Sequence, residues 1–261
     1  MKETDVIEGV PDISPTPRRF VVDVKHLGNS EAAWASSPKL LAVEPIEIPP
    51  VEHVVVVAPH PDDEVLGAGG LLQRLAGHAT VEICAVSDGE GSHPDVAERV
   101  LRRIRNQEAL SAQTRLGLAA AERTRLRYPD GQVSRYEAEL AEALAHRLGP
   151  TTLCVAPWRG DGHPDHEAGG RAAAAAAASA GAVLFEYLVW AWHWADPLGG
   201  EVPWASCRRL SLDRRSAARK RWATAAFHSQ TRRFGPDGGQ PPILPPPVLR
   251  RFWRPFEVFV T

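Results

Sequence analysis

The sequence lacks the features that mark disulfide-rich, nucleic-acid-binding and membrane proteins. It has only three cysteines in 261 residues, and their scattered positions and odd number exclude a disulfide framework. The net charge of −2 leaves no basic field for nucleic acid or an anionic membrane. No apolar run approaches about 18 residues, and no apolar signal region begins the chain. We therefore expect a cytoplasmic protein without a membrane span that binds no nucleic acid.

The chain does contain a run of β-branched residues with polar side chains directly behind it. Val54–Val57 predicts a buried central strand, which ends before Pro59. His60 and the adjacent carboxylates Asp62 and Asp63 follow at once, and helical apolar spacing begins after them. Metal-type ligands at the carboxyl end of a buried strand lie where open α/β sheets bind ligands.

Strands and helices alternate from residue 53 onward. This pattern predicts an α/β fold, with a Rossmann-like, mostly parallel sheet, helices on both faces, and a single domain. Asp95 is expected to cap the second helix and Gly117 to end it. The predicted strands are 54–58, 80–87, 125–128, 152–156 and 183–190, and the predicted helices are 64–76, 95–117, 136–148 and 167–180.

Residues 1–50 differ from the rest because they have many prolines and little periodicity. We predict an arm packed on a domain formed by residues 51–261, with a short strand at 20–24 and one helical turn capped by Ser30. A flexible tail is the alternative, but Trp34 and its leucine neighbours favour the arm, since such side chains are rarely solvated.

A second polar cluster follows the predicted strand 152–156. His163, Asp165 and His166 precede a helix, so they are expected to face the first cluster across one cleft. A zinc hydrolase needs three nitrogen or oxygen ligands, an open position for water, and a carboxylate that is no ligand. The alternative is that both clusters only cap helices, which is our interpretation of the third copy, His93-Pro94-Asp95.

Together the two clusters resemble the motifs of the PIG-L (LmbE-like) family of zinc-dependent deacetylases, over roughly residue 53 onward. The matching residues are Ala58-Pro59-His60-Pro61-Asp62-Asp63-Glu64 and Gly162-His163-Pro164-Asp165-His166, with weaker matches at Asp88–Gly91, Tyr128–Gly131, Lys220, His228-Ser229-Gln230 and Glu257–Phe259. The resemblance implies a metal-dependent amidase that acts on C–N bonds other than peptide bonds. It also implies an N-acetylated amino sugar, or a conjugate of one, as the small-molecule substrate.

The resemblance also implies roles for individual residues. His60, Asp63 and His166 would hold one Zn²⁺ per chain, and Asp62 would be the general base. His163 would stabilise the oxyanion or protonate the leaving amine; the sequence leaves these two open. We expect Asp165 to orient a histidine, as carboxylates beside metal-binding histidines commonly do.

Substrate contacts are expected from Asp130, Arg105, His228 and Trp158. The competing interpretation is an ion pair with Glu108 for Arg105, and a structural role for His228. The aromatic segment Trp190–Trp194 is either a ligand platform or part of the core. Pro241–Pro247 is either a polyproline segment for a partner or a rigid surface loop. The sequence does not indicate an oligomeric state.

Two other classes of function are compatible with parts of this pattern. Two histidines and one carboxylate also hold Fe(II) in oxygenases, although those ligands normally lie on jelly-roll strands rather than before helices. The second alternative is a catalytically silent sugar-binding protein on the same fold. Binding alone does not need the carboxylate of Asp62, so an intact set of ligands and base argues against it.

Overall fold

The computed structural model describes residues 27–261, and in them one eight-stranded sheet forms the centre of the protein. The strands are β1 (Glu44–Pro45), β2 (His53–Ala58), β3 (Thr80–Ala85), β4 (Glu122–Arg125), β5 (Thr152–Pro157), β6 (Val183–Tyr187), β7 (Cys207–Ser211) and β8 (Phe256–Val260). Their order across the sheet is β1-β7-β8-β6-β5-β2-β3-β4. All neighbouring pairs are parallel except those of β8, which is antiparallel to both β6 and β7. The predicted α/β fold with a mostly parallel sheet is confirmed.

Five of these strands have the order that creates a ligand-binding crevice. From one edge, β4, β3 and β2 run backward through the sequence, and β5 and β6 then run forward. The order therefore reverses between β2 and β5, and ligands of open α/β sheets bind outside the carboxyl ends of the strands at such a point. Both motif-bearing loops begin there.

Helices cover the sheet on both faces. They are α1 (Glu31–Ala35), α2 (Pro38–Leu41), α3 (Asp63–Leu75), α4 (Glu98–Leu116), α5 (Glu137–Ala145), α6 (Pro164–Ala180), α7 (Ala191–Trp194), α8 (Arg214–Thr224), α9 (His228–Thr231) and α10 (Pro246–Leu249). Alternate residues of β2 enter different cores, since successive strand side chains point to opposite faces. Val54 and Val56 pack with α3, whereas Val55 and Val57 pack with α5 and α6.

The alanine tract of α6 is explained by close packing. Ala172, Ala173, Ala176 and Ala177 are buried against the sheet. Small side chains let a helix lie near the strands, and alanine has the highest helix propensity.

The start of α4 differs from the prediction. The helix begins at Glu98 and its N-cap is Ala97, without a side-chain cap. Asp95 instead accepts a hydrogen bond from the side-chain amide of Gln240 at 2.6 Å, and His93 is buried, so the third His-Pro-Asp copy is not the predicted helix cap. Gly117 ends the helix in the left-handed conformation, as predicted.

Part of the predicted arm lies within the described residues and packs on the sheet. Ser30 caps the predicted helical turn by accepting a hydrogen bond from the backbone N–H of Ala33. The indole of Trp34 is fully buried and donates to the carbonyl of Trp192 at 2.8 Å. The predicted strand at 20–24 lies outside the described residues.

Across residues 27–261, none of the helices combines the length and the apolar character needed to cross a membrane.

Candidate active site

The two motif loops meet at the reversal point of the sheet. After β2 ends at Ala58, the chain turns through His60 and Asp62 before α3 begins at Asp63. After β5, His163 forms the N-cap of α6, and His166 lies in its first turn. The helices begin where the strands end, so the polar side chains of both loops lie within one small volume.

Three of the predicted ligand atoms form a nearly equilateral triangle. The distance from His60 Nδ1 to Asp63 Oδ2 is 3.2 Å, from His166 Nε2 to Asp63 Oδ2 3.1 Å, and from His60 Nδ1 to His166 Nε2 3.3 Å. Donors placed 2.0–2.1 Å from a tetrahedral ion are about 3.3 Å apart. The residues therefore fit a metal ion, with both rings and the carboxylate aimed at one point.

Two other sets of side chains around His60 also place possible ligand atoms near one another. One is His60 with His163 and His166, and the other is His60 with Asp130 and Asp165. We favour the set with Asp63 because it combines two ring nitrogens with one carboxylate oxygen, and because all three separations are 3.1–3.3 Å.

Each histidine of the triangle has its outer nitrogen against a carboxylate. His166 Nδ1 lies 2.8 Å from Asp161 Oδ2, and His60 Nε2 lies 3.1 Å from Asp130 Oδ1 and 3.3 Å from Asp165 Oδ2. A proton on each outer nitrogen leaves the inner lone pair free, which is the tautomer that metal ligation needs.

Asp165 is positioned as the predicted orienting carboxylate requires. It is fully buried, and its two oxygens accept hydrogen bonds from the backbone N–H groups of Gly131 at 2.7 Å and Val133 at 3.1 Å. These bonds tie the loop after β4 to α6 behind the ring of His60.

The ionisable groups in and around the triangle shift one another's pKa values. Burial opposes protonation of His166, but Asp63 and Asp161 outweigh it and raise its pKa to about 9. The pKa of His60 is likewise well above its usual value, because nearby carboxylates outweigh burial. Burial acts against ionisation of Asp63, yet His166 and His60 hold the pKa of that carboxyl well below its normal range. The nearby carboxylates thus favour a positive charge at the point where the cation fits.

Asp62 points away from the triangle and has a different environment. Its side chain is buried, and Arg105 donates a hydrogen bond to its carboxylate at 3.1 Å and another to the carbonyl of Pro61 at 2.6 Å. Burial raises the pKa of Asp62 to about 8, against the lowering effect of Arg105. The adjacent aspartates therefore have pKa values shifted in opposite directions, which is the pattern expected of a ligand and a base.

The backbone of Asp62 is strained. Its φ of 140° and ψ of −27° lie in a region that residues with a Cβ seldom adopt. The backbone N–H of Asp62 donates to Glu64 at 3.1 Å, and Glu64 in turn accepts from Arg123 at 2.8 Å in a buried ion pair. These bonds hold the turn in the conformation that separates the two carboxylates.

His163 lies beside the triangle with its orientation set by α6. Its Nδ1 accepts a hydrogen bond from the backbone N–H of Asp165 at 3.2 Å, so the proton of a neutral ring is on Nε2. Burial, together with the charges of His60 and His166, lowers the pKa of His163 to about 3. The ring of Trp190 stacks on it at 6.3 Å between centroids. His163 is therefore a neutral hydrogen-bond donor at pH 7.

A cavity of about 400 Å³ opens onto these groups. Of the predicted substrate contacts, Asp130 and Arg105 line it, whereas His228 and Trp158 do not. His228 is exposed, and its neighbour Gln230 lines the cavity instead. The predicted contacts from His228, at the start of α9, and from Trp158, after β5, are therefore not supported, because neither residue lines the cavity.

Arg105 does not form the alternative ion pair with Glu108. Glu108 accepts hydrogen bonds from the backbone N–H and the hydroxyl of Ser229 at 2.7 and 2.6 Å, which joins α4 to α9. Asp130 has an unpredicted contact with His60, and it also accepts from the backbone N–H of Gly91 at 2.8 Å.

Sequence reasoning missed the role of Asp161. This fully buried carboxylate accepts from His166 and from the backbone N–H groups of Val189, Trp190 and Ala191 at 2.9–3.0 Å. In the local sequence, only its position beside the second motif indicated a role for Asp161. The three N–H groups that bind it come from a distant segment.

Within the aromatic segment 190–194, one residue lines the cavity and another packs in the core, so each interpretation holds for part of it. Trp190 lines the cavity, Trp192 packs in the core, and the indole N–H of Trp194 donates to the carbonyl of Asp161 at 2.7 Å. The predicted strand therefore ends earlier, at Tyr187, and a short helix follows.

Comparison with known proteins agrees with this geometry. Residues 55–177 match the model of the PIG-L family, described as GlcNAc-PI de-N-acetylase. A Bacillus subtilis (strain 168) protein named probable N-acetyl-alpha-D-glucosaminyl L-malate deacetylase 2 is 33% identical over 130 residues. That match covers 46% of this chain and 58% of the relative, so the chain spans less than two thirds of the relative's length.

Solved structures share the fold. A conserved protein of Thermus thermophilus is 27% identical, with a TM-score of 0.55 over 80% of this chain and 93% of the other. The N,N'-diacetylchitobiose deacetylase of Pyrococcus horikoshii is 20% identical, with a TM-score of 0.54 over 72% of each chain. The matched region 55–177 contains both histidine motifs and the strands that end at them. Over residues 55–177 the chain is thus similar to the PIG-L family.

Proposed function

We propose that the protein is a zinc-dependent hydrolase that removes the N-acetyl group from an amino sugar or an amino-sugar conjugate. The observation that carries the proposal is the triangle of His60 Nδ1, Asp63 Oδ2 and His166 Nε2, with edges of 3.1–3.3 Å, beside the separate carboxylate of Asp62. The PIG-L domain and the deacetylase name of the Bacillus subtilis relative support the same chemistry.

In this proposal one Zn²⁺ per chain is held by His60, Asp63 and His166. Two nitrogens and one oxygen are typical of catalytic zinc sites, which keep a further position open. When bound, the metal supplies a more acidic water and polarises the acyl carbonyl. Asp161 and Asp165 orient the two ligand rings from behind.

The remaining steps belong to the side chains of the protein. Asp62 takes a proton from the attacking water, and its burial keeps the carboxyl basic enough for that task. His163 donates its Nε2 proton to the oxygen on which negative charge develops. Because His163 is neutral and fixed as a donor, Asp62 is the group that returns the proton to the leaving amine.

Asp130 and Arg105 complete the site as contacts for sugar hydroxyls. Both line the cavity, and a carboxylate suits a pair of neighbouring hydroxyl groups. We also infer a cytoplasmic location, since Cys84, Cys154 and Cys207 are free and buried, which suits a reducing compartment.

The proposal is tested by metal analysis together with amine release. The purified protein is expected to contain zinc and to release amine from at least one N-acetylglucosamine conjugate, and the Asp62→Asn variant is expected to keep the zinc without that activity. Absence of amine release from a broad panel by the zinc-loaded protein contradicts the proposal. Iron enrichment with 2-oxoglutarate-dependent oxygen uptake supports the oxygenase alternative instead.

A further inference from the structure

The cavity has two chemically different halves. The first half is polar and is formed by the loops after β3 and β4 and by α4, with Gly91, Ser92, Arg105, Asp130 and Gly131. Its carboxylate, guanidinium and backbone groups suit a ligand part that is rich in hydroxyls.

The second half is apolar and comes from other elements. Its side chains are Leu66 of α3, Val189 and Trp190 after β6, and Pro241, Ile243 and Leu244 of the segment before α10. Leu66, Val189 and Leu244 are at most 3% exposed and belong to the core on the α3 face, so Trp190, Pro241 and Ile243 provide most of the accessible apolar surface. Gln230 and Gln240 also line the cavity beside this segment.

The order of the sheet separates the polar loops from Val189 and Trp190. β3 and β4 lie on one side of β2, whereas β5 and β6 lie on the other. His60, Asp63 and His163 follow β2 and β5 and therefore lie between the polar loops and Trp190. An amide with its nitrogen substituent against the polar loops would have its acyl group on the side of Trp190.

The apolar wall is anchored rather than a loose loop. The backbone N–H of Leu244 donates to the carbonyl of Gln230 at 2.8 Å, and the side chain of Gln240 donates to Asp95 at 2.6 Å. Ser229, the neighbour of Gln230, is bonded to Glu108 of α4. The segment 240–244 is thereby tied to α9 and to the loop before α4.

From this arrangement we propose that the preferred substrate is an amino sugar whose N-acyl group is longer than acetyl, with the acyl chain against Trp190 and Ile243. The proposal rests on the hydrolase function proposed above. Hydrolysis breaks the C–N bond, places the oxygen of water on the acyl carbon and a proton on nitrogen, and releases a carboxylate and an amine. An acetyl group would leave most of the apolar wall without contact.

The test uses the zinc-loaded full chain and N-acetyl, N-propanoyl, N-butanoyl and N-hexanoyl derivatives of one glucosamine conjugate, with amine release as the readout. Each methylene added between acetyl and butanoyl is expected to raise kcat/KM about fourfold, because it is buried against the apolar wall. Ile243→Ala is expected to lower the butanoyl-to-acetyl ratio of kcat/KM severalfold, and Ile243→Phe is expected to move the optimum to shorter chains. Leu198→Ala, at a residue that is 68% exposed, is the matched control.

The outcomes separate this inference from the proposed function. Hydrolysis of the acetyl derivative with equal or lower kcat/KM for the longer ones overturns the acyl-chain proposal and leaves the deacetylase intact. No amine release from any derivative counts against the hydrolase itself. Because the ratio compares two substrates of one preparation, partial misfolding of a variant does not imitate the expected result.

Discussion

Asp161 Oδ2 lies 2.8 Å from His166 Nδ1, and both side chains are completely buried. The carboxylate is itself held by three backbone N–H groups from residues 189–191. The position of the His166 ring therefore depends on a segment that contributes Trp190 to the cavity wall. In the proposed mechanism, Asp161 connects a zinc ligand with the wall of the substrate cavity.

Asp161→Asn is expected to weaken zinc binding about 10- to 100-fold, because orienting carboxylates behind metal histidines have effects of that size. Competition with a chromogenic chelator measures the change. Asp196→Asn, at an exposed loop position, is the control. An unchanged zinc affinity in Asp161→Asn would show that His166 needs no such support.

Asp62→Asn is expected to keep zinc and lose roughly 10²–10⁴ in kcat, because the amide cannot take the proton of the water. Zinc content and amine release are measured on the same preparation, with Asp196→Asn, at an exposed position outside the cavity, as the matched substitution. Near-normal turnover would remove Asp62 from the mechanism.

The strained backbone of Asp62 gives a prediction about stability. Asp62→Gly and Asp62→Ala both remove the carboxylate, but only glycine adopts a φ of 140° without strain. Asp62→Gly is expected to have a free energy of unfolding about 1–2 kcal/mol higher than Asp62→Ala, by urea denaturation of the metal-free proteins.

The same pair of substitutions at Arg99, an exposed position in α4, provides the control. There the alanine variant is expected to be the more stable by about 1 kcal/mol, since glycine is unfavourable inside a helix. The strain argument fails if alanine is also the more stable residue at position 62.

Zinc binding is expected to release protons and to strengthen as pH rises. The pKa of His166 is raised to about 9 and that of His60 is also raised, so both rings hold protons at neutral pH in the metal-free protein. Ligation requires the unprotonated rings, so protons compete with zinc at neutral pH and the apparent affinity rises as the pH approaches 9.

Calorimetric titrations in two buffers of different ionisation enthalpy count these protons. About two protons are expected to be released per zinc at pH 7, one from each ring. Zinc affinity independent of pH from 6 to 9 would be inconsistent with the carboxylate cluster that surrounds the rings.

Trp34→Ala is expected to lower the free energy of unfolding by about 3–5 kcal/mol, because a large buried side chain and its hydrogen bond are lost. Leu41→Ala, at a residue that is 61% exposed, is expected to have little effect. Equal stability of both variants would argue against the proposed packing of the arm on the domain.

The sequence predicted the parallel half of the sheet because strand, turn and helix signals there are local. It also indicated which side chains would meet, since parallel strands bring their carboxyl ends to one edge. It did not reveal β7 and β8, whose pairing depends on a return of the chain over about fifty residues.

Partners separated in sequence account for the other differences. Nothing near Asp161 indicates the N–H groups that bind it, and nothing near Asp130 indicates its contact with His60. The segment after Gln240 looked like a surface loop or a partner motif, whereas Pro241, Ile243 and Leu244 line the cavity. The composition of this segment does not predict its position, which depends on hydrogen bonds to Gln230 and Asp95.

The position of β8 has a consequence for how the chain is made. This strand follows all the others in the sequence, yet it lies between β6 and β7 in the sheet. As the ribosome adds residues from the amino end, β2 to β6 can pair once residue 187 has emerged, but β7 and its neighbour β1 cannot join them until Phe256–Val260 follows. A nascent chain that stalls before that strand exposes an open sheet edge at β6, with the residues of the proposed metal site already synthesised.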